Sequence, residues 1–175
     1  DVFKHVILTL CLEDFHKKMT EHQKLSQTAS AGMFKGGLAN HNEKTVRLHT
    51  AHHLLLAALQ EVVGKEVKQR GSNITEERLS IDFLCNHKLS EKKKKKIEAW
   101  VNDKIAKDLP VVRKEMKREE AESLGAEMEF GAKYPEMVSV YFIGGDGADA
   151  VSKEFCGGPH VSHTGELGVF KIQKE

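Results

Sequence analysis

The chain has 175 residues, of which 39% are hydrophobic and 30% are charged, a composition that suits a compact globular protein and is too apolar for a disordered one. Its 27 Lys and Arg nearly balance 26 Asp and Glu, so the formal net charge is +1. Any contact with a nucleic acid must therefore come from a local patch and not from an overall basic charge.

Two helices separated by a connector are predicted in the N-terminal part of the chain. Apolar residues three and four positions apart predict an amphipathic helix over 12–27, and a glycine-bearing connector follows over 29–38. A stronger helix is predicted over 44–63, because helix formers are dense there, Thr45 can cap its start and Gly64 can end it.

The rest of the chain mixes strands with helices. The predicted strands cover residues 66–70, 78–83, 111–116, 138–143, 152–155 and 168–172. A turn around Gly71 joins the first two of them. The predicted helices cover residues 89–109, capped by Ser90 and ended by Pro110, and 119–124, closed by Gly125.

Because strands and helices do not alternate strictly, we predict an α+β fold with a mainly antiparallel sheet packed with helices, preceded by a helical N-terminal segment. We divide the chain into a helical extension and connector, residues 1–40, and a second domain, residues 41–175. The chain does not begin with Met, and we expect it to be an excerpt or a trimmed form of a longer protein.

Cysteine usage and the N-terminus indicate a cytoplasmic protein. Cys11, Cys85 and Cys156 are an odd number at wide spacing, which is a poor disulfide framework and suits a reducing cytosol. The apolar run over 6–12 is followed at once by acidic residues and has no small-residue cleavage site, so no signal peptide is predicted. No run approaches the roughly 18 apolar residues that would span a bilayer.

Two pairs of residues indicate a metal site. His49 and His53 are four apart within the strongest predicted helix, so both imidazoles project from one face. Cys156 and His160 repeat this spacing across a glycine-rich stretch that can fold tightly enough for thiolate and imidazole to converge. Either pair alone is more often an ordinary surface or core feature, but together they offer the three nitrogens and one sulfur of a tetrahedral zinc site. A metalloprotease is excluded, because its helix needs Glu where Thr50 stands.

The segments around these pairs resemble a known family. His-Thr-Ala-His-His-Leu-Leu-Leu, from His49, resembles the His-x-x-x-His helix shared by the editing domains of alanyl- and threonyl-tRNA synthetases. Cys-Gly-Gly-Pro-His-Val, from Cys156, and Thr-Gly-Glu-Leu-Gly-Val-Phe-Lys-Ile, from Thr164, are similar to the second half of their zinc site.

Four intervening segments resemble the alanyl version. They are Gln-Arg-Gly-Ser from Gln69, Arg-Leu-Ser-Ile-Asp-Phe from Arg78, the stretch from Glu120-Ala to Gly125-Ala, and Phe-Gly-Ala-Lys-Tyr from Phe130. The resemblance runs in consistent order from about Ala29 to the C-terminus, and free-standing editing proteins related to this synthetase share the same core.

The resemblance implies a hydrolase that cleaves the ester between a wrong amino acid, serine or glycine, and the 3′ end of alanine tRNA. By the same resemblance, the Zn²⁺ ligands are His49, His53, Cys156 and His160. Cys156 and Gln69 are the implied catalytic residues, and the implied substrate-side residues are Gln69, His52, Asp82, Gly157 and Gly158. Aminoacylation by this chain is excluded, because it has neither room nor motif for an ATP-binding domain.

The sequence departs from the family pattern at three positions. His52 stands where Thr or Ser is usual, Ser80 where Arg is favoured, and Pro159 where the alanyl version has Thr and the threonyl version has Pro. His52 can be a general base, a fifth metal contact or a pocket filler that changes specificity, and we favour the filler. Four protein ligands would also close a tetrahedral site, so catalysis would need a fifth position, a loose ligand or a water beside the metal.

Two other interpretations remain open. One is a structural-zinc tRNA-binding module whose editing has lapsed, with His52 and Ser80 as signs of decay. The other is a threonyl-type editing domain, which Pro159 favours. The lysine run over 92–96 is a candidate RNA contact, although its place opposite an apolar stripe favours a solvated helix face.

Overall fold

The computed structural model describes Leu38, residues 41–129 and residues 131–175, which belong to one compact unit. The helix expected over 12–27, and all of the 29–38 connector except Leu38, lie outside the described residues. The division of the chain at residue 40 stays a prediction. No helix in the described part is both long enough and apolar enough to cross a membrane.

The predicted strong helix is present as α1, Glu43–Val62. Its N-cap is Asn42 and not Thr45 as predicted: the Asn42 side-chain oxygen accepts a hydrogen bond from the Thr45 backbone N–H at 2.9 Å. Thr45 lies inside the first turn, fully buried, and its hydroxyl donates to the same Asn42 oxygen at 3.0 Å. The side-chain oxygen of Asn42 therefore accepts hydrogen bonds from both the backbone N–H and the hydroxyl of Thr45.

The next two strands form a two-stranded antiparallel sheet, β1 at Gln69–Ile74 and β2 at Leu79–Phe83. The strand predicted over 66–70 starts too early, because Val67 is buried behind the end of α1 and its N–H bonds to the Gly64 carbonyl.

The predicted turn at Gly71 is wrong, because this glycine lies within β1, opposite Asp82 and beside a register shift. A Cβ atom there would stand 3.0 Å from the Asp82 carboxylate, so the glycine serves close strand approach. The turn comes later: the Thr75 N–H donates to the Arg78 carbonyl at 3.0 Å, and the Thr75 hydroxyl accepts the Arg78 N–H at 3.3 Å.

A second sheet has the order β3-β4-β5 and is antiparallel throughout. Its strands are Val111–Lys117, Met137–Ile143 and Ser152–Phe155. The last predicted strand, 168–172, is wrong, since this segment has no strand pairing. The Asn102 side chain bonds both the N–H and the carbonyl of Phe170, so side chains of the neighbouring helix replace a partner strand.

The remaining helices are α2 at Glu91–Ala106, α3 at Arg118–Ser123 and a 3-10 turn at Thr164–Leu167. Ser90 caps α2 as predicted, with its hydroxyl accepting the Lys93 N–H at 3.3 Å. The helix ends before the predicted residue 109, because Asp108 adopts a left-handed φ of 48° that cannot continue it.

Two apolar clusters stabilise these layers. The first joins α1 to α2 and contains Leu54, Leu59, Ile97, Val101 and Ile143, all essentially inaccessible. The partly buried Trp100 packs against it. The second lies on one face of the β3-β4-β5 sheet and contains Met116, Val140, Phe142 and Phe155. The predicted α+β class is confirmed: helices pack with two small antiparallel sheets.

Replacing Asn42 with Ala should lower the free energy of unfolding by about 1 kcal/mol, because the first turn of α1 loses its cap and the buried Thr45 hydroxyl loses its acceptor. Asn42→Asp keeps an acceptor oxygen and should retain most of the stability. Chemical denaturation of the two variants measures the difference. Equal stability of Asn42→Ala and the unsubstituted chain would contradict the assigned cap.

Candidate metal centre

Three histidines and one cysteine meet between α1 and the loop that follows β5. One ligand atom from each of His49, His53, Cys156 and His160 lies within 4.8 Å of the other three. The Cys156 Sγ is 3.4 Å from His49 Nε2 and 3.4 Å from His160 Nε2. His49, His53 and Cys156 are at most 4% exposed. The two residue pairs singled out in the sequence are thus brought together.

The loop reaches α1 because its backbone is held at both ends. Its first residue, Cys156, donates its N–H to the Ser139 carbonyl and so extends the β5 pairing by one residue. Further along, the Val161 N–H donates to the Thr50 hydroxyl oxygen at 3.2 Å. Between these points, buried Gly158 packs against the His49 ring, where a Cβ atom would come within 2.7 Å of Cε1. A glycine is therefore required sterically at this position.

Hydrogen bonds orient two of the imidazole rings. His49 Nδ1 lies 3.0 Å from the Pro159 carbonyl, which can only accept, so Nδ1 carries the proton. His160 Nδ1 lies 3.0 Å from the Thr50 hydroxyl oxygen, whose own proton goes to the Val46 carbonyl at 3.3 Å. Both rings therefore present an unprotonated Nε2 to the Cys156 sulfur.

The third ring, His53, is held differently. Its Nε2 faces the buried carboxyl group of Glu154, whose pKa burial raises to about 8, with 3.6 Å between Nε2 and Oε2. Its Nδ1 is buried and has no hydrogen-bond partner among the described residues. A bound cation would give that nitrogen a partner, and the set of three imidazoles and one thiol is a donor set that zinc favours. The residues present therefore fit a zinc ion.

Burial sets the charge state of the cluster. It lowers the pKa of His49 to about 4 and puts the pKa values of His53 and His160 well below the usual 6.5. It also raises the pKa of the Cys156 thiol to about 12. The imidazoles are therefore neutral near pH 7, with lone pairs free to bind a cation, and a bound cation would in turn favour the thiolate.

His52 lies on the same helix, 3% exposed, with its ring 6.1 Å from that of His53. Burial, and then the neighbouring His49, lowers its pKa to about 4. Its Nε2 has no hydrogen-bond partner among the described residues. His52, His53 and Glu154 form a second close group of potential ligand atoms. The functional role of His52 stays a prediction.

Three other predicted site residues are partly or fully exposed. Gln69 is half-buried at the start of β1, Asp82 is exposed on β2, and Gly157 is exposed in the loop. Within the described part of the chain, the structure gives Gln69 and Asp82 no hydrogen bond or ion pair with the four clustered side chains. Their assignment to substrate or catalysis stays a prediction.

Two residues that touch the cluster were missed from the sequence. In the sequence, Thr50 is only the residue that rules out a metalloprotease helix, and Glu154 belongs to no motif. A signal for Glu154 was present: it stands two residues before Cys156 in a predicted strand, so both side chains share one face. A carboxylate on the inward face of a strand is unusual enough to mark a site.

The lysine run is not uniform. The Lys94 ammonium pairs with Glu91 at 2.9 Å and with Glu175 at 3.3 Å, and its side chain is only 21% exposed. Lys92, Lys95 and Lys96 are exposed. The apolar stripe of α2, formed by Ile97, Val101 and Ile105, is buried. This arrangement suits a solvated helix face, in which Lys94 also binds Glu175 of the C-terminal segment.

Gly158→Ala should lower the free energy of unfolding by about 1–3 kcal/mol, because the added methyl group would overlap His49 Cε1. Gly147→Ala is the matched control, since a Cβ atom there meets nothing within 4 Å. Denaturation in the presence of a chelator separates this steric effect from metal binding. A Gly158→Ala variant as stable as the Gly147→Ala control would refute the close packing.

Comparison with known proteins agrees with this site. Residues 138–175, which include Cys156 and His160, match the threonyl and alanyl tRNA synthetase second additional domain. The chain is 49% identical to an alanine–tRNA ligase of Treponema denticola over 168 residues, which is 96% of this chain and 27% of that protein.

Other alanine–tRNA ligases match at similar identity. A Borrelia garinii alanine–tRNA ligase is 49% identical over 92% of the chain and 26% of its own length, and a Leptospira borgpetersenii alanine–tRNA ligase is 48% identical over 73% of the chain and 13% of its own length. The chain thus spans about a quarter or less of the curated relatives it matches. On these grounds the chain belongs to the alanyl-tRNA synthetase family and corresponds to its editing region.

Proposed function

We propose that this chain is a zinc-dependent aminoacyl-tRNA deacylase, an editing hydrolase that releases serine or glycine from mischarged alanine tRNA. The observation that carries the proposal is the buried cluster of three neutral imidazoles and one thiol, within 4.8 Å of one another, in a chain of this family. The partner would be the 3′ end of the tRNA, and the compartment the cytoplasm.

Zinc, when bound by His49, His53, Cys156 and His160, would supply a Lewis acid that polarises the ester carbonyl or a nearby water. The role of this chain's own residues is to orient the ligands. Pro159 and Thr50 hold two of the rings by their Nδ1 atoms, so the ligand atoms are oriented before a cation arrives.

The substrate would approach from the exposed side of the loop. Gly157 is exposed and next to the buried Gly158, so the terminal adenosine and its ester would approach a stretch of backbone that carries no side chains of its own. Gln69, half-buried at the edge of β1, is the proposed polar contact to the ester, and Asp82, opposite Gly71 on β2, supports that hairpin. In this arrangement all four ligands would remain on the zinc, and the attacking water would lie beside it.

Two alternatives have specific support. His52, buried with its Nε2 unbonded among the described residues, suits a structural-zinc tRNA-binding module with lapsed editing. Pro159, whose carbonyl holds His49, suits a threonyl-type editing domain, and the matching domain is common to both synthetases. Release of serine from seryl-tRNA carrying the alanine acceptor stem excludes the first alternative. Competition between alanine tRNA and threonine tRNA decides the second.

The purified protein should contain about one zinc ion per chain. His49→Ala and Cys156→Ala should abolish zinc binding, because each removes a ligand from a four-ligand site. Cys85→Ala is the matched control, since Cys85 is exposed and outside the cluster. Metal analysis of samples prepared without chelator provides the measurement. A folded protein that takes up no zinc would overturn the proposal.

Cys156→Ala should eliminate deacylation while leaving helices and sheets folded, because Cys156 supplies the single anionic ligand of the cluster. His52→Thr should retain or raise activity, because we interpret His52 as a filler. Serine release and circular dichroism are measured on both variants, with Cys85→Ala as the active control. Loss of activity in a His52→Thr protein that still binds zinc would identify His52 as a working base or ligand.

A further inference from the structure

A buried carboxylate stands beside the cluster without an evident structural purpose. Glu154 is 6% exposed, and the nitrogen that faces it in the described part of the chain belongs to the neutral imidazole of His53, and not to a lysine or arginine. One of its oxygens, Oε1, accepts the Ser152 hydroxyl at 3.1 Å, whereas Oε2 faces His53 Nε2 at 3.6 Å. Burying a carboxyl group is costly unless it has a defined partner.

The backbone of Glu154 is fixed from both sides. On one side it pairs with Tyr141 of β4 in the antiparallel ladder. On the other, it forms a parallel bridge with Glu127, in which the Phe155 N–H donates to the Glu127 carbonyl at 2.9 Å. The alternation of β5 places Glu154 and Cys156 on one face. The carboxylate therefore comes from a rigid position toward the cluster.

Each of the three clustered imidazoles has one ring nitrogen that faces an oxygen atom of the protein. His49 has the Pro159 carbonyl at Nδ1, His160 has the Thr50 hydroxyl at Nδ1, and His53 has the Glu154 carboxylate at Nε2. The nitrogen of His53 that remains, Nδ1, is the buried atom without a hydrogen-bond partner among the described residues. Histidines that bind metals in proteins usually donate their second N–H to such an acceptor, which fixes the tautomer and the ring.

We propose that Glu154 is a positioning residue of the metal centre: its carboxylate accepts the N–H of His53 Nε2 and so leaves Nδ1 of that ring to bind the metal. The separation between His53 Nε2 and Glu154 Oε2 is 3.6 Å, so a hydrogen bond between them requires a small rotation of either side chain. His53 thus binds through Nδ1, in contrast to His49 and His160, which present Nε2. The inference rests on the metal centre proposed above.

To test the inference, the zinc affinity of the Glu154→Met and Glu154→Gln proteins is measured by competition with a chromophoric chelator. Met has a similar length but no acceptor, so zinc affinity should fall by about 10- to 100-fold. Gln keeps an acceptor oxygen and should restore most of the affinity. Glu127→Gln is the matched control, because it removes a partly exposed carboxylate that pairs with Lys68, and it should bind zinc normally.

A purely structural role predicts that Glu154→Met makes the metal-free protein less stable. Under the inference, the chelator-treated Glu154→Met protein should be no less stable than the unsubstituted one, because an apolar side chain replaces a buried carboxyl group, while its cobalt(II)-substituted form should show shifted visible bands. Unchanged zinc affinity and cobalt spectrum in Glu154→Met would overturn the inference and leave the metal centre standing. Absence of zinc binding by the unsubstituted protein would overturn both.

The unsubstituted protein provides a readout that needs no variant. Nitrogen-15 NMR of its zinc-loaded form should show the His53 proton on Nε2, and a proton on Nδ1 overturns the inference even where Glu154→Met fails to fold.

Discussion

The hydroxyl of Thr50 connects the two halves of the site, and the geometry of the cluster depends on it. This single oxygen lies within hydrogen-bond distance of the Val46 carbonyl, the His160 ring and the Val161 N–H. Thr50 of α1 thus orients the His160 ring and also fixes the backbone of the loop that carries His160. Because the group is buried, each lost bond would leave an unsatisfied polar atom, which costs more than the bond itself contributes.

The position of the His160 ring, set by Thr50, brings it into contact with two other rings. His160 stacks on His49 with ring centroids 4.1 Å apart and lies against Tyr141 at the same distance. These contacts exclude water from the nitrogens, which explains why the imidazoles are neutral and the thiol is protonated in the absence of a cation. The same dryness strengthens the interaction of any bound cation with its ligands, because little solvent remains to screen it.

Local patterns in the sequence predicted much of this, and non-local contacts account for what they missed. The i, i+4 histidines, the Ser90 cap and the strand over 152–155 depend on residues close in sequence, and all were found. The predicted turn at Gly71 is wrong because this glycine packs against the Asp82 carboxylate of the opposite strand. The predicted strand over 168–172 is wrong because the Asn102 side chain, distant in sequence, hydrogen-bonds the backbone of Phe170. Propensity is overridden wherever a side chain from elsewhere supplies the hydrogen bonds.

The site itself divides in the same way. The resemblance and the spacing identified the four clustered side chains, whereas Thr50 and Glu154 became visible only once β5 and α1 were placed face to face. Orienting residues have no motif of their own, since a hydroxyl and a carboxylate are common residue types whose meaning depends on what they touch. The roles of Gln69 and Asp82 depend on a bound substrate, which neither sequence spacing nor backbone position defines.

The separation of the two pairs along the chain has a consequence for synthesis. Cys156 and His49 are 107 positions apart, yet their ligand atoms are 3.4 Å apart. Since ribosomes make the N-terminal part first, α1 is present, with its histidines unmatched, throughout the production of both sheets. The cluster becomes complete only when the loop after β5 has emerged and docked. Capture of a cation by all four side chains would thus report that the last part of this unit has been made and correctly placed.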